Sequence, residues 1–187
     1  MTRRARAASE TKLGTITAQV YALLLDEGLI PSVAVGEVHD LAVSIDDWKV
    51  SEANGETAEH VTTDGESWVI ARGTLRVEEQ GAEDGQTRLV VRGQGFLLLD
   101  GGNTPPPDRV VEVTGLLYVE PTRMPVFGFE NPRALPLRRP WRVVGVRREI
   151  LPRGESAGRG SAAVIERLPD PDDVDTGSYY FVDLAPA

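Results

Sequence analysis

The chain has 187 residues, no cysteine and a formal net charge of -9 at pH 7. Its length is typical of a single domain, and a chain without cysteine has no disulfides, thiolate metal sites or cysteine nucleophiles. The negative charge disfavours general binding to nucleic acid, because Lys and Arg side chains supply that attraction. No apolar run approaches the roughly 20 residues of a membrane span, so we expect a soluble, cytoplasmic protein.

The first part of the chain is predicted to contain a flexible basic tail over residues 1–10, followed by a single β-barrel-like domain over residues 11–187. Residues 15–27 place apolar side chains on one face of a helix, with Gly28 as a left-handed cap after it. The same segment also alternates correctly for a strand and contains β-branched residues, which favour strands. Helix is our preferred prediction here, and strand is the alternative.

The next two segments are predicted to be a strand and a connection. Residues 32–45 alternate apolar and polar side chains, which indicates a strand with a break near Gly36. Residues 46–66 are polar and rich in turn-forming residues, so we expect a long exposed connection there. The meander that makes most of the sheet is expected to follow it.

Four later apolar segments, residues 68–77, 89–99, 110–119 and 141–150, each carry a glycine near the centre: Gly73, Gly93, Gly115 and Gly145. In the first three segments the alternation places the glycine on the core face. A glycine inside a strand is typical of a sharp bend or a close backbone approach. Because the connections are too short for crossover helices, the strands should pair antiparallel.

Residues 141–150, 162–168 and 178–184 are expected to add up to three more strands. The predicted fold is therefore mainly β: a single antiparallel, strongly coiled barrel or sandwich with glycine-kinked strands and one short N-terminal helix. The face opposite its core is predicted to be unusually apolar, which favours contact with another protein. The side chains assigned to that face are Trp68, Ile70, Phe96, Leu116 and Tyr118.

Motifs for catalysis and metal binding are weak. The two histidines, His39 and His60, lie close in sequence to Glu37 and Glu59, but no H-E-x-x-H spacing is present. Residues 170–177 hold four aspartates without the ligand spacing of an EF-hand. We therefore assign no catalytic residue, no metal ligand and no cofactor, and we expect a protein that is not an enzyme.

The proline-rich loop over residues 121–140 is the segment with the strongest functional signal. A loop this long in a compact domain is usually functional, and residues 121–160 contain nine arginines against three glutamates. Aromatic and arginine side chains are frequent contact residues in interfaces. The predicted partner-binding residues are Phe127, Phe129, Arg133, Arg138, Arg139 and Trp141.

The favoured function is a non-enzymatic binding or assembly module that contacts another protein chain. One alternative is an oligonucleotide-binding barrel that uses the arginine-rich residues 121–160, although the net charge disfavours nucleic acid as the partner. A second alternative is a barrel that binds a small ligand, which requires an internal pocket with a buried titratable group.

Overall fold

The structure, a computed structural model, describes residues 13–53, 59–64, 67–78, 86–91, 94–98, 106–121, 138–150 and 161–187. Within these ranges the protein is mainly β, with one short helix, α1 (Ala22–Asp26), and one 3-10 turn, Pro171–Asp173. Neither is long and apolar enough to cross a membrane. The strands are β1 (Ile16–Val20), β2 (Val38–Leu41), β3 (Val43–Glu52), β4 (His60–Thr63), β5 (Trp68–Glu78), β6 (Gln86–Val91), β7 (Gln94–Leu98), β8 (Val110–Val119), β9 (Arg139–Ile150), β10 (Ser161–Ile165) and β11 (Ser178–Pro186).

Five of these strands close into a barrel. The strands β5, β6 and β7 form an antiparallel meander, and β7 pairs with β3 in parallel. The ring is completed by β8, which pairs antiparallel with β3 on one side and with β5 on the other. The predicted mainly β barrel with one short N-terminal helix is thus confirmed.

The remaining strands extend the barrel wall into a wider sheet. The edge of β8 that pairs with β5 up to Leu116 pairs with β1 two residues later. There, Gln19 lies opposite Tyr118 in parallel register. Next come β11 and then β9, both antiparallel, and the far edge of β9 holds β2 and β10. One hydrophobic cluster joins both parts, since it contains Ile16 from the extension and Phe96 from the barrel.

Residues 15–27 match neither prediction along their whole length. Residues Ile16–Val20 form β1, all five of them buried, and the helix begins only after Tyr21. A strand buried on both faces has no polar side to reveal its period, so helix and strand patterns both fit it. The predicted cap is confirmed: Gly28 has a φ of 66°, and the Leu29 backbone N–H donates to the Leu24 carbonyl at 2.8 Å.

The prediction of a long exposed connection over residues 46–66 is wrong. The strand β3 continues to Glu52, and β4 begins at His60. The register of β3 against β8 shifts between Asp46 and Lys49, and Asp47 has a φ of 49°. This irregularity is a β-bulge, which breaks the alternation of side chains and hides the strand from pattern analysis.

The prediction of a single strand over residues 89–99 is also wrong, because this segment contains the end of β6 and the whole of β7. In the β6–β7 hairpin Val91 pairs with Gln94, so only residues 92 and 93 join the strands, and Gly93 lies outside the described residues. The connection changes the phase of alternation. Phe96, predicted on the face opposite the core, is 0% exposed inside the barrel.

Gly73 and Gly115 lie on the core face, as predicted, and both make room for a neighbouring strand. A Cβ on Gly115 would stand 2.6 Å from the Asp46 carbonyl oxygen and 3.2 Å from Trp48 Cα. Those atoms flank the bulge of β3. The missing side chain therefore lets the bulged strand approach β8 closely where the barrel closes.

Candidate functional site

The residues predicted to bind a partner are not gathered at one described place. Phe127, Phe129 and Arg133 lie outside the described residues. Arg138 and Arg139 are half-buried at the start of β9, where the Arg139 guanidinium donates to the Arg138 carbonyl at 2.7 Å. The Trp141 ring is 2% exposed in the hydrophobic core, so it is not available at the surface of this chain.

The arginines farther along β9 are held by aspartates. Arg147 lies 3.8 Å from Asp183 and stacks over the Phe181 ring at 5.4 Å from its centroid. Arg148 forms an ion pair with Asp175. Two of the nine arginines of residues 121–160 therefore lie beside aspartates within the sheet.

Asp175, from the acidic cluster of residues 170–177, is a structural residue. Its carboxylate accepts hydrogen bonds from the Gly177 backbone and the Ser178 hydroxyl, each at 3.0 Å, besides the ion pair with Arg148. These donors, the Gly177 N–H first, lower the pKa of Asp175. The carboxylate closes the turn that leads into β11.

The two histidines lie on separate edges of the sheet. His39 on β2 bonds Glu37 at 2.9 Å, and that contact lowers the pKa of Glu37. His60 lies on β4, at the other end of the strand order. No group of three or more potential metal ligands occurs in the part of the chain that the structure describes.

An exposed apolar strip lies on the outer side of the barrel wall, the face opposite the core. Trp68 and Ile70 on β5 are each 40% exposed, and Trp68 pairs directly with the half-buried Leu116 on β8. We call Trp68, Ile70 and Leu116 the β5–β8 strip. The predicted outward position of these three residues agrees with the structure, and large exposed apolar groups side by side are typical of contact surfaces.

Buried polar groups border the β5–β8 strip at the end of β8. Ser44 donates a short hydrogen bond to Glu120, and both side chains are buried. Burial raises the pKa of Glu120, the nearby charge of Asp46 adds to this, and the bond from Ser44 opposes it. The Glu120 carboxyl group is therefore largely shielded from water at this end of the barrel wall.

Two stacked tyrosines lie beside this polar group, since Tyr118 is opposite Ser44 in the register of β3 and β8. The rings of Tyr21 and Tyr118 lie 4.4 Å apart at an interplanar angle of 6°. Tyr118 is buried, whereas Tyr21 is 41% exposed. Burial, and next the neighbouring Tyr118 hydroxyl, raise the pKa of Tyr21. The exposed face of Tyr21 therefore offers a rigid, neutral aromatic surface close to the strip.

Arg72 lies on the other side of the strip. It follows Ile70 on the same face of β5 and stands between His60 on β4 and Glu112 on β8 in direct register. The side chain is only 9% exposed, and its Nε–H has no hydrogen-bond partner in the described structure. The alternation of side chains along β5 places Arg72 on this face, but nothing in the sequence indicates that it is buried.

An open cleft of about 500 Å³ lies at the far end of the barrel. It lies between the end of β3 and the start of β8, where Val50 and Val110 line it. Glu120 follows the opposite end of β8, roughly 30 Å away at the usual rise of a strand. The cleft therefore does not contain the buried carboxylate.

Comparisons with known protein families, curated proteins and solved structures gave no match to this chain.

Proposed function

We propose that this protein is a non-enzymatic binding module that contacts another protein chain through the outer face of its barrel wall. The observation that carries the proposal is the β5–β8 strip, because two large apolar side chains on adjacent outward positions of one strand remain 40% exposed. Apolar and aromatic groups at the centre, with polar groups around them, are the usual composition of an interface. The absence of cysteine suits the cytoplasm as the place where it acts.

The wall is also suitable for docking because it is rigid. Trp68 and Ile70 lie on a strand that is paired on both sides, by β4 and by β8. The backbone of such a strand loses little conformational freedom on binding, which reduces the entropic cost of association. Tyr21, held by stacking on Tyr118, extends the same surface.

Site-specific crosslinking tests the proposal. A photoreactive phenylalanine analogue placed at Trp68 in the native host is expected to crosslink to one defined protein. The matched control carries the analogue at Tyr179, which is 42% exposed and lies three strands away on β11. Excess unlabelled parent protein should compete, whereas an Ile70→Lys competitor should not. The same products from both positions, or equal competition by parent and variant, would refute the proposed surface.

The second candidate function, an oligonucleotide-binding barrel, has one observation in its favour. Around the barrel the strands follow the order β5–β6–β7–β3–β8, with β3 parallel to β7. Oligonucleotide-binding barrels have the same order, except that the strand equivalent to β3 comes last in the chain instead of first. In such barrels the second and third meander strands bind the ligand. The outward side chains that the structure describes on β6 and β7, Val90 and the buried Leu97, are neither aromatic nor basic, while a basic residue, Arg88, holds the register position opposite Leu97. We rank this function below protein binding because the net charge of the chain is -9.

The small-ligand alternative has less support. The described interior of the barrel is filled by fully buried side chains such as Leu75, Leu89 and Phe96. A ligand-binding barrel needs an enclosed cavity with a few polar groups. The cleft at the end of the barrel is open, and the buried Glu120 lies away from it.

A further inference from the structure

We propose that the protein forms a symmetric homodimer in which β10 pairs antiparallel with β10 of a second copy. The proposal starts from an open edge of the sheet. β10 (Ser161–Ile165) is the last strand on its side, and among the described strands only β9 pairs with it. The backbone N–H and C=O groups along such an edge can pair with another strand. This contact does not involve the β5–β8 strip and does not depend on it.

The composition of β10 leaves its edge unprotected. Proteins usually protect an edge with charged residues, proline or a bulge, and β2, on the same edge of β9, contains His39 and Asp40. In contrast, the sequence of β10 is Ser-Ala-Ala-Val-Ile, in unbroken register with β9. The Val164 side chain is 84% exposed, more than any other large apolar side chain that the structure describes. Contact with another chain would remove that apolar surface from water.

The sequence of β10 is suited to pairing with itself. Residues opposite each other in a sheet point to the same face, and side chains alternate between the faces. The two-fold axis of a symmetric antiparallel pair must therefore pass beside one residue, not between two. An axis at Ala163 pairs all five residues, and every pair then contains an alanine or a serine, so the edges can approach closely. Across this axis Ala163 lies opposite Ala163, Ala162 opposite Val164, and Ser161 opposite Ile165.

The charges beside β10 also favour a second copy of this chain. Glu149 and Arg147 on β9 lie opposite the two residues that pair across the axis, Ala162 and Val164. The axis therefore puts Glu149 of one copy in the same row as Arg147 of the other, with unlike charges on either side of the two central strands. Arg148, in the row of the axis itself, already forms an ion pair within its own copy.

Sedimentation equilibrium tests the proposal. Two five-residue strands make a small interface, so the dimer should exchange with the monomer. The parent is expected to change from monomer to dimer between micromolar and millimolar concentration. Ala163→Glu and Ala163→Lys each place like charges opposite each other at the axis, so each dissociation constant should rise by about tenfold. A parent that stays monomeric over this range, or a dimer that both variants leave unchanged, would overturn the proposal.

Mixing the two variants separates loss of pairing from damage to the fold. One copy of each places opposite charges at the axis, so the equimolar mixture should form a heterodimer at least as tight as the parent dimer. The matched controls are Val144→Glu and Val144→Lys, at a position that is 44% exposed on β9 and outside its pairing with β10. They should dimerise like the parent. A mixture that stays monomeric, although both variants keep the urea midpoint of the parent, would overturn the symmetric register.

Disulfide formation gives a second test, because the chain contains no cysteine. Ala163→Cys introduces a single thiol at the axis, where opposite Cβ atoms lie about 4.5 to 5.5 Å apart, close to the spacing of a disulfide. At a concentration at which the parent is dimeric, mild oxidation should link this variant several-fold faster than Leu23→Cys, whose position on α1 is 60% exposed. Equal rates for the two variants would overturn the contact at Ala163.

Discussion

Replacing Gly115 by alanine is expected to destabilise the barrel by about 2 kcal/mol. The new Cβ would stand 2.6 Å from the Asp46 carbonyl oxygen, 2.6 Å from Ile45 Cγ2 and 3.2 Å from Trp48 Cα. Inserting an extra carbon into a fully packed site costs about 1 to 3 kcal/mol. We expect a cost of about 3 kcal/mol here, because two of the contacted atoms belong to the backbone and cannot move away easily. Alanine offsets about 0.5 to 1 kcal/mol of that, because it restricts the unfolded chain.

The assay is urea denaturation followed by tryptophan fluorescence, with the midpoint and slope fitted separately. Gly14→Ala is the control, because a Cβ at Gly14 has no atom within 4 Å. It should leave the free energy of unfolding within about 0.5 kcal/mol of the parent. Valine at position 115 should cost more than alanine. If Gly115→Ala is as stable as Gly14→Ala, then the close approach of β3 to β8 is not what requires glycine, and the reasoning fails.

Two pH dependences follow from the titratable groups. Burial raises the pKa of Glu120, so its favourable contribution is present in acid and is lost as pH rises through the folded pKa. Glu120→Gln should therefore gain stability relative to the parent as pH rises above 4.5, and a difference in unfolding free energy that does not change with pH would contradict this. The pKa of Asp175 is lowered from 3.8, so its contribution is present at neutral pH and is lost as pH falls through the folded pKa. The stability deficit of Asp175→Asn should shrink as pH falls below 3.8, and a deficit that does not change with pH would argue against an ionic cause.

The barrel could be predicted from sequence because its strands alternate cleanly. In β8 every second residue from Val111 to Val119 is buried, and the core positions of β5 follow the same rule. The errors fall where alternation is interrupted. The bulge after Asp46 hid the continuation of β3, and the two-residue connection after Val91 reversed the phase before Phe96. Each interruption is one or two residues long, too short for composition to reveal.

The candidate site was predictable only in part, for a related reason. Alternation alone placed Trp68, Ile70 and Leu116 outward. The burial of Glu120 and Arg72 depends on strands distant in sequence, since Ser44 bonds Glu120 across 76 positions. The alternation of residues assigns a side chain to one face of the sheet, but the pairing of strands distant in sequence decides whether that face is exposed to solvent.

The bulge in β3 links the closure of the barrel to the proposed docking surface. Asp46, where the register shifts, lies directly opposite Leu116 of the β5–β8 strip and raises the pKa of Glu120. Gly115, next to Leu116 in the chain, permits the bulge to lie there. Gly115 faces the core and Leu116 faces outward, so a change at Gly115 should disturb the core and the outer face together. Ile70→Lys alters the surface alone, so loss of binding without loss of stability in that variant separates docking from folding.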